Sequence, residues 1–137
     1  MKQLIVGLKR KPGMSMEEFR DYYETSHAPL AVKHMGHLIK DYRRNYAQDR
    51  LTPVPLDQDG EGFDGYFDAV SVISFANQED MEEFFRIATS PGLTELFVAD
   101  EANFLDRDMQ RFQIADQMRE VRSADGTILW SPDSAMA

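Results

Sequence analysis

Apolar residues fall at strand spacing and helix spacing in turn along this chain. Leu4 to Leu8 reads as a strand, and Lys9-Arg10-Lys11-Pro12-Gly13 as its exit turn. Ser15, with Glu18 three positions later, forms a capping box that opens a helix at Met16. Met16, Phe19, Tyr22 or Tyr23, and Ser26 share one face of that helix. Pro29 predicts that the helix is interrupted or redirected just after His27, with a second helical piece over Leu30 to Met35 continuing it to Gly36. His37 to Ala47 follows as a strand, with Leu38, Lys40, Tyr42, Arg44 and Tyr46 on one face and Ile39, Asp41, Arg43 and Asn45 on the other.

Gln48 to Tyr66 is acidic and full of breakers, Pro53, Pro55, Gly60, Gly62 and Gly65 among them, as expected of a lid or a mobile insertion. Phe67 to Phe75 is a strand, with Val70 and Val72 opposite Ala69, Ile73 and Phe75. Asn77 caps a helix whose apolar stripe is Met81, Phe84, Phe85 and Ala88. Pro91-Gly92 breaks it, and Leu93, Leu96, Phe97 and Phe104 suggest a further helical turn or two before a last strand, Arg107 to Ala115. The order β-α-β-β-α-β predicts an α+β, ferredoxin-like domain over residues 1–117, with one antiparallel sheet and helices on one face. Pairing with a second copy, sheet against sheet, is the economical way to cover the other face, so a homodimer is expected. Residues 118–137 form a C-terminal extension. There Asp125-Gly126 signals a hairpin turn before Ile128, Leu129 and Trp130, which are expected to pack across a dimer partner or beside the pocket, the alternative being a disordered terminus.

Composition narrows the function classes. With 137 residues, 42% hydrophobic and 28% charged, the chain reads as one ordinary globular domain. The net charge of -9 argues against a nucleic-acid partner, because phosphate neutralisation needs clustered Lys and Arg. Absence of cysteine removes disulfides and thiolate chemistry and fits a reducing compartment. The strand-like N-terminus is unlike a signal peptide and no apolar run has the length of a membrane span, so the expected location is cytoplasmic, with no membrane partner.

Two stretches resemble one family. Lys9-Arg10-Lys11-Pro12-Gly13-Met14-Ser15-Met16-Glu17-Glu18-Phe19, then Tyr22-Tyr23 and His27-Ala28-Pro29-Leu30, is similar to the opening signature of the EthD family. Phe67-Asp68-Ala69-Val70, Ser90-Pro91 and Asp100-Glu101-Ala102-Asn103-Phe104-Leu105-Asp106 resemble its second half. The resemblance covers roughly residues 1 to 115 and implies a dimeric α+β barrel. It also implies a pocket between sheet and helices for a small hydrophobic molecule, with His27 as its polar centre. Relatives in the wider superfamily include polyketide cyclases, dehydratases, muconolactone isomerases and cofactor-free oxygenases.

Read from position alone, His27 either caps the predicted helix end or serves proton transfer there. Asp68 opens the central strand, where it either faces the helices and orients the His27 tautomer or lies exposed at the strand edge. One of Tyr22 and Tyr23 should face inward, either satisfying the backbone or touching a substrate oxygen. Tyr42 and Arg43 point to opposite faces of one strand, so at most one reaches the pocket; Arg43 could hold a carboxylate or enolate. These two, with Phe67 and Phe85, are the candidate substrate contacts. His34-x-x-His37 lacks a completing carboxylate, so neither metal nor other cofactor is expected. The leading expectation is a cofactor-independent acid–base enzyme, a cyclase, dehydratase or isomerase for a small cyclic, aromatic or polyketide-like substrate. The alternative is a non-catalytic protein that binds a hydrophobic intermediate, for example beside a monooxygenase.

Overall fold

The alternation read from the sequence becomes a four-stranded antiparallel sheet. The computed structural model describes residues 2–48 and 67–133. Strands β1 (Lys2–Leu8), β2 (Asp41–Tyr46), β3 (Ala69–Phe75) and β4 (Arg111–Asp116) lie in the order β2-β3-β1-β4. Between β1 and β2 run helices α1 (Met16–Tyr22) and α2 (Ala28–Met35). Between β3 and β4 run α3 (Gln78–Ala88) and α4 (Leu93–Glu101). This is the α+β, β-α-β-β-α-β arrangement expected from the sequence, with the ferredoxin-like strand order.

Register decides which residues meet. Leu4 pairs with Ile73 and Ile114, and Tyr42 with Ile73, so all four share the helix-facing side. Val6, Ser71, Arg44 and Phe112 form the next row on that side. Beneath the helices, Leu4, Leu8, Phe19, Phe75, Phe84 and Phe104 are buried in one core. Such residues supply most of the driving force, each buried side chain being worth about 1.5–3 kcal/mol relative to exposure. On the outer face Ile5, Val70 and Val72 are half-buried, and the ring of Phe67 lies against Gly7. A Cβ on Gly7 would approach that ring to 2.6 Å, so only glycine lets Phe67 lie there.

The first helical segment corrects one expectation. Pro29 does not end it: α1 passes through a π-turn, Tyr23–His27, directly into α2. The Ala28 N–H bonds the Tyr23 carbonyl, one residue further back than in an α-helix. Pro29 occupies the first turn of α2, where its missing N–H follows this change of register rather than breaking a continuous ladder. His27 therefore sits within a continuous helical run and not at its C-terminal end. Other boundaries narrow. The second strand begins at Asp41, after a 3₁₀ turn at Gly36–Leu38, and the last begins at Arg111, after another at Arg107–Met109.

Beyond β4, strands β5 (Val121–Arg122) and β6 (Ile128–Trp130) form a separate antiparallel hairpin. Gly126 turns it with φ 92°, a value disfavoured for residues with a side chain. Val121, Ile128, Leu129 and Trp130 remain between 45% and 64% exposed, so within the described chain they find no core. The proposed lid segment, apart from Gln48, lies outside the described residues.

Candidate active site

A cavity of about 350 Å³ lies between the sheet and the helices. Its walls are mostly apolar, from Leu4, Val6 and Ile73 on the sheet and Ala31, Phe84 and Phe97 on the helices. Tyr23, His27 and Tyr42 line the same walls. Thr89, Thr94, Glu101, Arg107 and Gln110 add further polar lining, with Arg107 Nε 3.0 Å from Glu101 Oε2.

His27 has a defined partner. Its Nδ1 lies 2.9 Å from Asp100 Oδ2, and the two side chains are only 13% and 12% exposed. The other oxygen of Asp100 accepts from the hydroxyls of Tyr22 at 2.8 Å and Ser26 at 2.9 Å. Asn103 in turn donates to the Tyr22 oxygen at 2.8 Å. A carboxylate only accepts, so Nδ1 carries the shared proton, and in the neutral ring Nε2 keeps its lone pair. The rings of Phe104, Tyr23 and Phe97 surround the imidazole, with centroids 5.1, 5.6 and 6.0 Å away.

The π-turn explains the convergence. Tyr22 and His27 are five residues apart, and a turn with i→i+5 bonding lets residues at that spacing meet one carboxylate. Asp100 comes from α4, where it shares a side with Phe97, and Phe104, in the turn beyond the helix, continues that spacing into the core. An acid within that apolar stripe, at the head of the Asp100–Asp106 stretch that resembles the family, is the sequence signal that points to it.

A second polar group lies on the β2 side. The Tyr23 hydroxyl is 2.8 Å from that of Tyr42 and 2.6 Å from Ser71 Oγ. Arg44 holds Glu24 with two bonds, at 2.7 and 2.9 Å, and its guanidinium lies 4.8 Å from the centre of the Tyr42 ring. Tyr46 donates to the same carboxylate. The Arg44 bonds hold the Glu24 pKa below its ordinary value, and burial raises those of Tyr23, Tyr42 and Tyr46.

Of the residues singled out from sequence, Tyr23, His27, Tyr42 and Phe85 line the cavity, and Tyr22 stands behind His27 on Asp100. Three others lie elsewhere. Asp68 accepts from the Arg10 backbone N–H at 2.8 Å at the start of β3, so the carboxylate beside His27 is Asp100 instead. Arg43 is 75% exposed and paired with Asp41, on the face opposite Tyr42; the inward arginine of this strand is Arg44. Phe67 covers Gly7 on the outer face, opposite the cavity. Among the described residues no three His, Cys, Asp or Glu side chains converge as a metal-binding group, and no helix is long and apolar enough to cross a membrane.

Comparison with known proteins places this architecture. An EthD-like protein from Ralstonia eutropha superposes with a TM-score of 0.58 at 16% identity, covering 90% of this chain and 96% of its own. An ethyl tert-butyl ether D (EthD) family protein from Bacillus halodurans gives 0.52 at 17% identity, covering 86% and 100%. HapK from Hahella chejuensis gives 0.54 at 10% identity, covering 90% and 99%. At these identities the likeness is one of fold. No curated protein sequence matches the chain. The EthD domain profile matches residues 11–108, more than half of the 137 residues, and on that ground the chain belongs to the EthD family.

Proposed function

We propose that this protein is a cofactor-independent acid–base enzyme acting on a small cyclic or aromatic hydrophobic substrate. The observation that carries the reading is the His27–Asp100 pair on the wall of a largely apolar cavity. A buried carboxylate that fixes the tautomer leaves Nε2 as a base, and Asp100 can stabilise the imidazolium formed when that base takes a proton. The apolar walls suit a ring system, and the volume suits a small molecule. Cyclases, dehydratases and isomerases all need such a step.

The test is proton exchange on a simple carbon acid. With 2-tetralone in D₂O, the protein should accelerate loss of the α-proton NMR signal well beyond buffer alone. Saturable binding of 2-tetralone without any acceleration would instead identify a binding protein for a hydrophobic intermediate.

The proposal includes a homodimer. Ile5, Val70 and Val72 occupy the sheet face that no helix covers, and a second copy placed against it would bury them. The exposed hairpin residues could pack on the same partner. An interface on the order of 2,000 Å² in total or more is expected. Light scattering at micromolar concentration should find twice 15.7 kDa; a 15.7 kDa particle would refute the dimer.

A further inference from the structure

We propose that Tyr42 donates a hydrogen bond to a carbonyl oxygen of the substrate, through a chain of hydroxyls that starts at Ser71, and that the substrate is an enolisable carbonyl compound. The second half rests on His27 acting as the base; the first half stands without it.

The argument is a count of protons. Ser71, Tyr23 and Tyr42 are linked by two hydrogen bonds, of 2.6 and 2.8 Å. Each hydroxyl carries one proton, so three protons serve two bonds and one is left over. Ser71 is fully buried, Tyr23 is 2% exposed, and among the described residues neither hydroxyl has a partner outside the chain of three. A spare proton on either would be a buried donor without an acceptor, at a cost of about 1–3 kcal/mol. One arrangement avoids this: Ser71 donates to Tyr23, Tyr23 donates to Tyr42, and Tyr42 turns its own O–H to the cavity it lines. Burial raises the pKa of both phenols, so both keep their protons near neutrality. Arg44 fixes the Tyr42 ring from the side, stacking on it and donating to the Tyr42 carbonyl oxygen at 2.7 Å.

Beside the Tyr23 ring the cavity therefore offers a guest an acceptor, His27 Nε2, and a donor, the Tyr42 hydroxyl. A carbonyl compound with an α-hydrogen matches both. His27 Nε2 takes the α-proton; the C–H electron pair becomes a C=C bond, and the carbonyl π pair moves onto oxygen. The resulting enolate oxygen is held by the Tyr42 O–H. The proton then returns from His27 to another position of the same molecule, so no oxidant or reductant is needed. Tyr42 touches substrate in this scheme, while Tyr23 and Ser71 are positioning residues.

The experiment compares two guests of nearly the same shape, 2-acetylnaphthalene and 2-isopropenylnaphthalene, in which C=CH₂ replaces C=O. Their ratio of dissociation constants reads the hydrogen bond, because a change in packing alone moves both guests together. Tyr42→Phe should reduce the preference for the ketone about five- to tenfold, the value of one hydrogen bond. Tyr23→Phe should reduce it by a smaller factor, since Tyr42 then loses the bond from Tyr23 that fixes the direction of its own O–H. His27→Gln should leave the ratio unchanged even if it abolishes proton exchange, which separates this proposal from the one it builds on. An unchanged ratio in Tyr42→Phe would overturn it, and an unchanged ratio in Tyr23→Phe would overturn the chain of hydroxyls.

Discussion

Replacing His27 with alanine should lower the catalysed exchange of 2-tetralone at least about a hundredfold, the lower range for loss of a general base. The protein should stay folded, because the imidazole lies on a cavity wall and its removal enlarges an existing space. Asp100→Asn leaves the ring in place but replaces a pure acceptor with an amide that can present either end. The tautomer is then no longer fixed, and a loss on the order of tenfold or more is expected. The double variant should be no slower than His27→Ala alone, since the two groups act as a unit. Stopped-flow or NMR exchange rates on the three variants give the comparison. If His27→Ala retained the normal rate while folded, its role as base would be ruled out.

The largest loss of stability should come from Phe104→Ala, at about 3–5 kcal/mol. Phe104 is fully buried, and its ring lies 5.7, 5.0, 5.7 and 5.1 Å from those of Phe19, Tyr22, Tyr23 and His27. Those neighbours come from α1 and the π-turn, whose hydrogen-bonded backbone cannot collapse into the space left behind. Removing the ring leaves most of its volume empty. Urea unfolding followed by far-UV circular dichroism should show the midpoint fall sharply. Phe104→Leu should recover much of the loss. A near-normal midpoint for the alanine variant would mean that the aromatic cluster contributes little to folding.

Element order and face were legible because they depend on local spacing. The Ser15–Glu18 capping box is present as read, and the alternation of β3 places Ile73 and Phe75 in the core. What escaped depends on contacts distant in sequence or on backbone register. Asp100 meets His27 across 73 positions, and its local mark is an acid in an apolar stripe. Asp68 was the nearer choice, but the turn after β1 brings the Arg10 N–H to it first. For β2, parity separated Arg43 from Tyr42, and the more aromatic face proved to be the inner one, which selects Arg44. Pro29 marked the redirection but not the continuity that keeps His27 inside the run, because the rule for proline assumes an unbroken α-helical ladder and the π-turn removes that assumption.

The position of Trp130 has a spectroscopic consequence. It is the chain's one tryptophan, and it sits 45% exposed on the hairpin rather than in the core. Its emission therefore reports the surroundings of the tail. Tyr22, Tyr23, Tyr42 and Tyr46 pack against the core or within it, and tyrosine absorbance follows the folded domain instead. Two natural chromophores thus divide the molecule. A dilution series watched at tryptophan emission registers whether the hairpin leaves an apolar neighbour, while the tyrosine signal certifies that the domain has stayed intact.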